Sequence, residues 1–423
     1  MSKRSAAQRV SGPMDADGPQ TDVHARILDA AAQLINTRGV GAVRLGEIAD
    51  SVGLARKSLY YYVQDRSGLI FQCYHRTCAA LDQDLREATE SESSPSRQIR
   101  AFVERHLDFD RPEAVALSDI DSLPDARRKA IVGRMNLSQA NLSHIIEQGV
   151  VAGEFGSCNA SIAAHLLLGM IHWSRISSQW TDVRDTRASR QQTVRAILDV
   201  LFSGISVDPK ADWRCQTDVE TLQLRAYNPF DRKSMTDARI DQVAAVASRL
   251  FNRRGIESTS MDDIVAALGT SKGSLYHHFD SKSDVVYACY KRAFRLQRMM
   301  LDVAMQSTGN HLGRIGKAIH LNTQAQMGSL TPLVGQPGLR SLPVRQRTEI
   351  SRLIRRVFDA ATALYEQGEI EGSIRRLDIP ATESVIAGSM AWLPRWLPRS
   401  GERTAIEIAD DVNRILVHGL ARR

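Results

Sequence analysis

No stretch of the chain approaches 18 consecutive apolar residues, so a membrane-spanning helix is not expected. The opening "MSKRSAAQRVSGPMDADGPQTD" has no apolar core and does not read as a secretory signal. It is rich in Ser, Gly, Pro and charge, and residues 1–20 are expected to form a disordered tail. The five cysteines are scattered without a C-x-x-C pair, which argues against a zinc site or disulfide scaffold and suits the cytoplasm. They read as small buried apolar residues, with a redox-sensing thiol as the alternative. Also missing are a glycine-rich phosphate loop, an H-E-x-x-H pair and a nucleophile elbow. His165 and His172 show no metal-ligand spacing matched elsewhere. Neither an enzyme nor a bound cofactor or metal is therefore expected.

What is present begins with length and charge. A chain of 423 residues is too long for one simple core. Its formal charge of +7 and pI of about 9.3 favour a polyanionic partner, although many ordinary proteins are as basic.

The decisive feature is an internal repeat. At an offset of 216 residues Leu34, Asn36, Arg38, Gly39, Ile48 and Gly53 coincide with Leu250, Asn252, Arg254, Gly255, Ile264 and Gly269. Ser58, Leu59 and Tyr60 fall on Ser274, Leu275 and Tyr276; Ser67, Cys73, Tyr74 and Arg76 fall on Ser283, Cys289, Tyr290 and Arg292. At an offset of 219, "EQGVVAGEF" (147–155) answers "EQGEIEGSI" (366–374), and Gly169 and Trp173 answer Gly388 and Trp392. The chain is two copies of one unit of about 200 residues, joined over 206–235 by a proline-containing stretch without a clear apolar period.

Each unit opens with apolar residues at helical spacing and a glycine stop at Gly39 or Gly255. A short helix follows at about 45–52 or 261–268, then a turn holding Gly53 or Gly269, then a second short helix at about 56–62 or 272–278. Two short helices joined by such a turn form a helix-turn-helix, whose second helix enters the DNA major groove. Leu59 with Val63, and Leu275 with Phe279, are spaced to anchor that helix. The outer positions are then Arg56, Lys57, Tyr60 and Tyr61 in unit one, and Lys272, Gly273, Tyr276 and His277 in unit two. These side chains suit phosphate and base-edge contacts. Tyr62 is expected to brace the helix against its own domain. Arg66 and Lys282 begin the next helix, where a cation beside free N–H groups suits a phosphate oxygen. Ser281 and Asp284 read as a capping pair there.

The run "GTSKGSLYHHFDSKSDVV" (269–286), after "RGIESTSMDDIVAALG" (254–269), resembles the DNA-binding region of the tetracycline-repressor-like (TetR/AcrR) family. The resemblance covers about 50 residues of each unit. It implies an all-α fold of two tandem units, each a three-helix helix-turn-helix domain followed by a helical ligand-binding and dimerisation domain. The expected bounds are 21–67 and 68–205, then a linker at 206–235, then 236–283 and 284–423. It also implies a DNA-binding transcriptional repressor, released from an operator by a small-molecule effector. Similar sequences serve lipid or acyl-CoA catabolism. An effector-independent architectural DNA-binding protein is the alternative. Members of the family usually carry one unit and act as homodimers, which this chain does not match.

Unit one also departs locally. Thr259 and Ser260, and Thr270 and Ser271, offer capping or phosphate-binding hydroxyls in unit two. Unit one has Val43, Arg44, Leu54 and Ala55 in their places. It either reads different DNA through Arg44, Arg56 and Lys57, or is partly degenerate; the gain of cations favours the first. In the C-terminal parts "ASIAAHLLLGMIHWSRI" (160–176) is too apolar for one amphipathic face, and its counterpart breaks at Pro394. The last two helices of each unit, about 158–178 with 187–204 and 378–393 with 402–420, would by resemblance form a four-helix bundle. Trp173, Trp180, Trp392 and Trp396 read as interface anchors or as ordinary core. An intramolecular pseudo-dimer with two unlike heads would read an asymmetric or imperfect palindrome; two chains with four heads is the rival assembly. Phe102, His106, Met135, His144, Tyr290, Phe294 and Met327 read as helix-core residues in preference to pocket lining.

Overall fold

The structure is a computed structural model, and it describes residues 18–181, 184–211, 215–222, 228, 230–337, 339, 342–397 and 403–422. The tail expected over 1–20 lies outside the described residues up to 17, and Gly18 already begins the first helix. The side chain of Trp396 also lies outside them.

The first half contains helices α1 (Gly18–Arg38), α2 (Leu45–Ser51), α3 (Arg56–Leu59), α4 (Arg66–Ser91), α5 (Pro95–His106), α6 (Asp125–Val151), α7 (Ala160–Ser174) and α8 (Arg187–Ser203). The second half repeats the order with α9 (Arg232–Arg254), α10 (Met261–Leu268), α11 (Lys272–Tyr276), α12 (Lys282–Met305), α13 (His311–Met327), α14 (Val344–Ile370) and α15 (Ile379–Ala391). It then adds the short α16 (Leu393–Trp396) before α17 (Ala405–His418). Pro394 stands in the first turn of α16, where its missing N–H costs no helical bond, so the break falls where the proline puts it. Among the described residues there is no β-strand, only two isolated bridges, and no helix is long and apolar enough to cross a membrane.

The residues shared by the repeat mostly hold each half together. Asn36 donates to Ala114 O and accepts from Ala116 N; Asn252 donates to Pro332 O and accepts from Val334 N. Arg76 and Arg292 reach Glu113 O and Leu330 O. The Cys73 and Cys289 thiols face Leu28 O and Ala244 O, at 3.8 and 3.4 Å. Burial pushes both thiols up to about 12, far from a reactive thiolate. The asparagines fasten α1 or α9, and the arginines α4 or α12, to the loop that leaves α5 or α13, while the thiols tie α4 to α1 and α12 to α9.

The halves meet along α7, α8, α15 and α17. Their contacts are reciprocal. Gly156 N donates to Leu420 O and Arg375 N to Ile205 O; Ser206 N donates to Val417 O and Ala421 N to Phe202 O. The bridges Phe155–Ala421 and Ser206–Ile374 repeat the pattern. At the crossing of α7 with α15 a Cβ on Gly169 would lie 3.0 Å from Ser389 O, and one on Gly388 would overlap Trp173. That close approach accounts for the glycines at both repeat positions. Buried Leu166, Leu167, Met170 and Ile171 join Val385, Ile386, Val412 and Leu416 in one core. Trp173 donates to Ser384 Oγ at 3.1 Å, and Trp180 stacks edge-on against Tyr290 with ring centres 5.2 Å apart.

The stretch expected as a linker is not uniformly loose. Val219 is buried against Leu296, Met300 and Leu321, and its N–H donates to Gln324 Oε1. The apolar contribution of one valine carries no period, which is why the sequence hides it. Helix α9 begins at Arg232, inside the expected linker.

Candidate nucleic-acid interface

Each recognition segment stands on a hydrophobic peg. Leu59 and Val63 are each 1% exposed, and Leu275 and Phe279 are as deeply set, so α3 and α11 are pinned at four-residue spacing. The turns ahead of them need glycine: Gly53 has φ 75° and Gly269 φ 63°. Both helices are shorter than the sequence suggests. Tyr61 N and Tyr62 N bond to carbonyls three residues back, as does His278 N, so the last turn tightens instead of continuing as α-helix.

This geometry sends four side chains of each segment outward. Arg56, Lys57, Tyr60 and Tyr61 are exposed, Tyr61 by 89%; Lys272, Gly273, Tyr276 and His277 are exposed at the matching positions. Tyr62 turns the other way and stacks on His24 at 6.1 Å. The tyrosine run therefore divides into two presented side chains and one brace.

The caps differ between the heads. Ser260 forms a capping box with Asp263 at α10, and Ser271 accepts from Ser274 N at α11. At α2 and α3 the capping positions hold Arg44 and Ala55, and neither supplies a side-chain cap. Ser281 and Asp65 cap α12 and α4.

Several expected contact residues are otherwise engaged. Arg66 donates to Val40 O at 2.6 Å and Val43 O at 3.1 Å. Lys282 donates to Ile256 O, Glu257 O and Thr259 O. These positions correspond across the repeat, so both cations clamp the loop before the helix-turn-helix. Val40 O and Ile256 O each accept one N–H from three residues on, and a long cation from the next helix adds a second donor there. Thr259 is fully buried and donates to Gly255 O, which removes it from the surface. Arg44 folds back on Gly41 O and Val43 O. Arg56 lies over Gly46 of α2. Lys272 pairs with Asp262 at 2.8 Å, although both side chains are about two-thirds exposed and the pair is weak in water.

The two heads touch. Gly41 and Glu257 occupy the same place in the repeat and abut, so that a Cβ on Gly41 would overlap the Glu257 carboxylate. Asp119 of the first half sits against Gly255, where a side chain would collide with it, and accepts from Glu257 N at 3.4 Å. Nothing in the residues around 119 advertises this role; only the left-handed backbone there, φ 48°, marks it. Among the described residues no cluster of His, Cys, Asp and Glu is placed to hold a metal.

Residues 27–73 and 244–289 match the model described as bacterial regulatory proteins, tetR family, and residues 93–205 and 314–420 match that of the tetracyclin repressor-like C-terminal domain. The HTH-type transcriptional repressor KstR2 of Rhodococcus jostii (strain RHA1) is 43% identical over 58 residues, 14% of this chain and 28% of that protein. KstR2 of Mycolicibacterium smegmatis is 39% identical over 56 residues, 13% of this chain and 27% of its own length. The chain thus spans little more than a quarter of these curated relatives. Among solved structures, the ketosteroid transcriptional regulator KstR2 of Mycobacterium tuberculosis is 22% identical, with a TM-score of 0.37, over 44% of this chain and 96% of that one.

Proposed function

The chain belongs to the tetR family of bacterial regulatory proteins, and from that premise we propose that it is a cytoplasmic transcriptional repressor whose two halves act as an intramolecular pseudo-dimer. One such chain would place two reading heads on one operator and leave it when a small-molecule effector binds. The observation that carries this reading is a pair of matched scaffolds with unlike outer faces. The pegs, loop clamps and asparagine latches repeat, while the presented sets are Arg56, Lys57, Tyr60 and Tyr61 against Lys272, Gly273, Tyr276 and His277. A homodimer reads a palindrome, and two unlike heads favour an asymmetric or imperfect one. The reciprocal backbone bonds between the halves support the pseudo-dimer, because a contact that recurs in both directions is the mark of a two-fold interface. Covalent linkage would make the pairing independent of concentration.

Footprinting the full chain on the DNA upstream of its own gene tests the reading. One chain protecting two unlike half-sites is the expected result. Two identical half-sites, or protection that needs two chains, overturns the asymmetric single-chain mode. Protection without sequence preference would favour the architectural alternative.

A further inference from the structure

The two halves differ inside as well as outside. The second half holds a cavity of about 200 Å³ between α12, α13, α14 and α15. Four alanines line it: Ala318, Ala361, Ala387 and Ala391. Helices α5 and α13 correspond at the offset of 216, and α6–α7 and α14–α15 at 219. The first half therefore carries Phe102, Leu142, Leu168 and His172 at those four positions, all of them buried. At Met300 and Asn322 of the cavity it carries Asp84 and His106, which bond each other at 2.8 Å, with Arg111 closing on Asp84. Larger side chains thus stand in one half at the positions that alanines hold around the cavity of the other, and an ion network takes two more. The first half keeps spaces of another kind: one of about 170 Å³ whose lining includes Gln139, His165 and Arg395, and one of about 320 Å³ bounded by charged groups that include Arg76, Asp84, His106, Arg111 and Arg175.

The open cavity has a definite chemistry. Its wall is mostly apolar, with Phe294, Ile354 and Phe358 prominent, and none of its described lining residues is Lys, Arg or His. Glu383 lines it, 7% exposed, accepting from Thr362 Oγ1 at 2.9 and 3.1 Å. Burial, with Asp359 and Glu366 nearby, raises this carboxyl to about 8, so at neutral pH it carries a proton to donate. Two further lining residues, Trp180 and Asn322, hold a buried Nε1 and a buried Oδ1 without a hydrogen-bond partner among the described residues. Buried polar atoms are normally paired, so two unpaired ones on residues that line the cavity leave hydrogen-bonding capacity beside it. Trp173 and Trp180 reach the cavity from the first half.

We propose that each chain has a single effector site, in its second half and closed by the first, which takes a neutral, mainly apolar molecule of one or two rings bearing a hydrogen-bonding oxygen. The size follows from the volume, since a dry cavity of about 150 Å³ already admits benzene. A carboxylate ligand finds no cation and meets the acid of Glu383. This inference rests on the regulator reading for its biological meaning, but the site itself is testable without DNA.

Titration calorimetry of the full chain with 2-naphthol, beside 2-naphthoate as its anionic counterpart, tests it. Expected are one equivalent of 2-naphthol per chain, at least tenfold weaker binding of 2-naphthoate at pH 7, and loss of binding in Ala318→Phe, which copies the first half. Glu383→Ala should weaken 2-naphthol about tenfold and Glu383→Gln much less, because the amide still donates. If Ala318→Phe does not fold, Ala387→Leu makes the same test from another helix. Two equivalents per chain, equal binding of the anion, no saturable binding, or unchanged binding in a folded Ala318→Phe overturns the inference. A chain that protects its upstream DNA yet takes up no 2-naphthol loses only this inference; one that binds 2-naphthol but no DNA keeps it and loses the regulator reading.

Discussion

At the scale of single residues, the exposed and the engaged side chains of the two heads make different predictions. Tyr61 and His277 stand at matching outer positions, and the aromatic phenol and imidazole offer different hydrogen-bonding edges to a base. Tyr61→His should shift the ranking of half-site sequences by about 1–3 kcal/mol per altered base pair, read by selection from a randomised operator pool. An unchanged ranking would remove Tyr61 from base contact. Lys282 should behave otherwise. Its ammonium holds three loop carbonyls, so Lys282→Ala should lower the thermal stability of the second head, by about 1 kcal/mol given partial exposure. Affinity would then fall for all sequences alike, while the slope of affinity against salt stays the same. A slope reduced by about one charge would instead return Lys282 to a phosphate.

At the scale of elements, the missing caps give a direct experiment. Helices α2 and α3 begin at Arg44 and Ala55 without side-chain caps, whereas α10 and α11 have Ser260 and Ser271. Ala55→Ser should stabilise the first head by about 0.5–2 kcal/mol, measured by thermal melting. No gain would mean that water or the turn already satisfies those N–H groups. Elements are also where sequence reading succeeds and fails most plainly. The pegs Leu59, Val63, Leu275 and Phe279 and the outward faces are legible because helical spacing alone divides buried from exposed. The loop clamps of Arg66 and Lys282 are not legible, because a basic residue at a helix start suits a phosphate and a carbonyl equally well. The cavity is hidden for another reason. Tyr290 and Phe294 line it, yet an aromatic at helical spacing reads the same against a core or a void, and only comparison of the alanines with Phe102 and Leu142 separates the two. Val219 and Asp119 act through long-range contacts that leave no local pattern.

At the scale of the whole molecule, mass measurement in solution on and off DNA separates one chain per operator from two; the expected complex contains one. A second whole-molecule property is acid–base behaviour. The Glu383 carboxyl keeps its proton to about 8 in the folded chain and loses it near 4.5 when unfolded. Between those values unfolding releases a proton, so this group lowers stability as pH rises, by up to about 1.4 kcal/mol per pH unit. Denaturant unfolding of the wild type and of Glu383→Gln across pH 5–8 should show the wild type losing ground to the variant as pH rises. Parallel curves would mean that Glu383 reaches water.

The contact of Gly41 with Glu257 carries a lesson about gene fusion. In a dimer of identical subunits a residue on the symmetry axis faces its own copy. Glutamate there would set two like charges against each other, and glycine twice would leave a gap. Joining the copies end to end frees each side of the axis to mutate alone, so a small residue can evolve to receive a large one. Asymmetry in this chain is thus heritable in a way no homodimer permits, and heads, pocket and seam alike can drift apart without ever losing their partner.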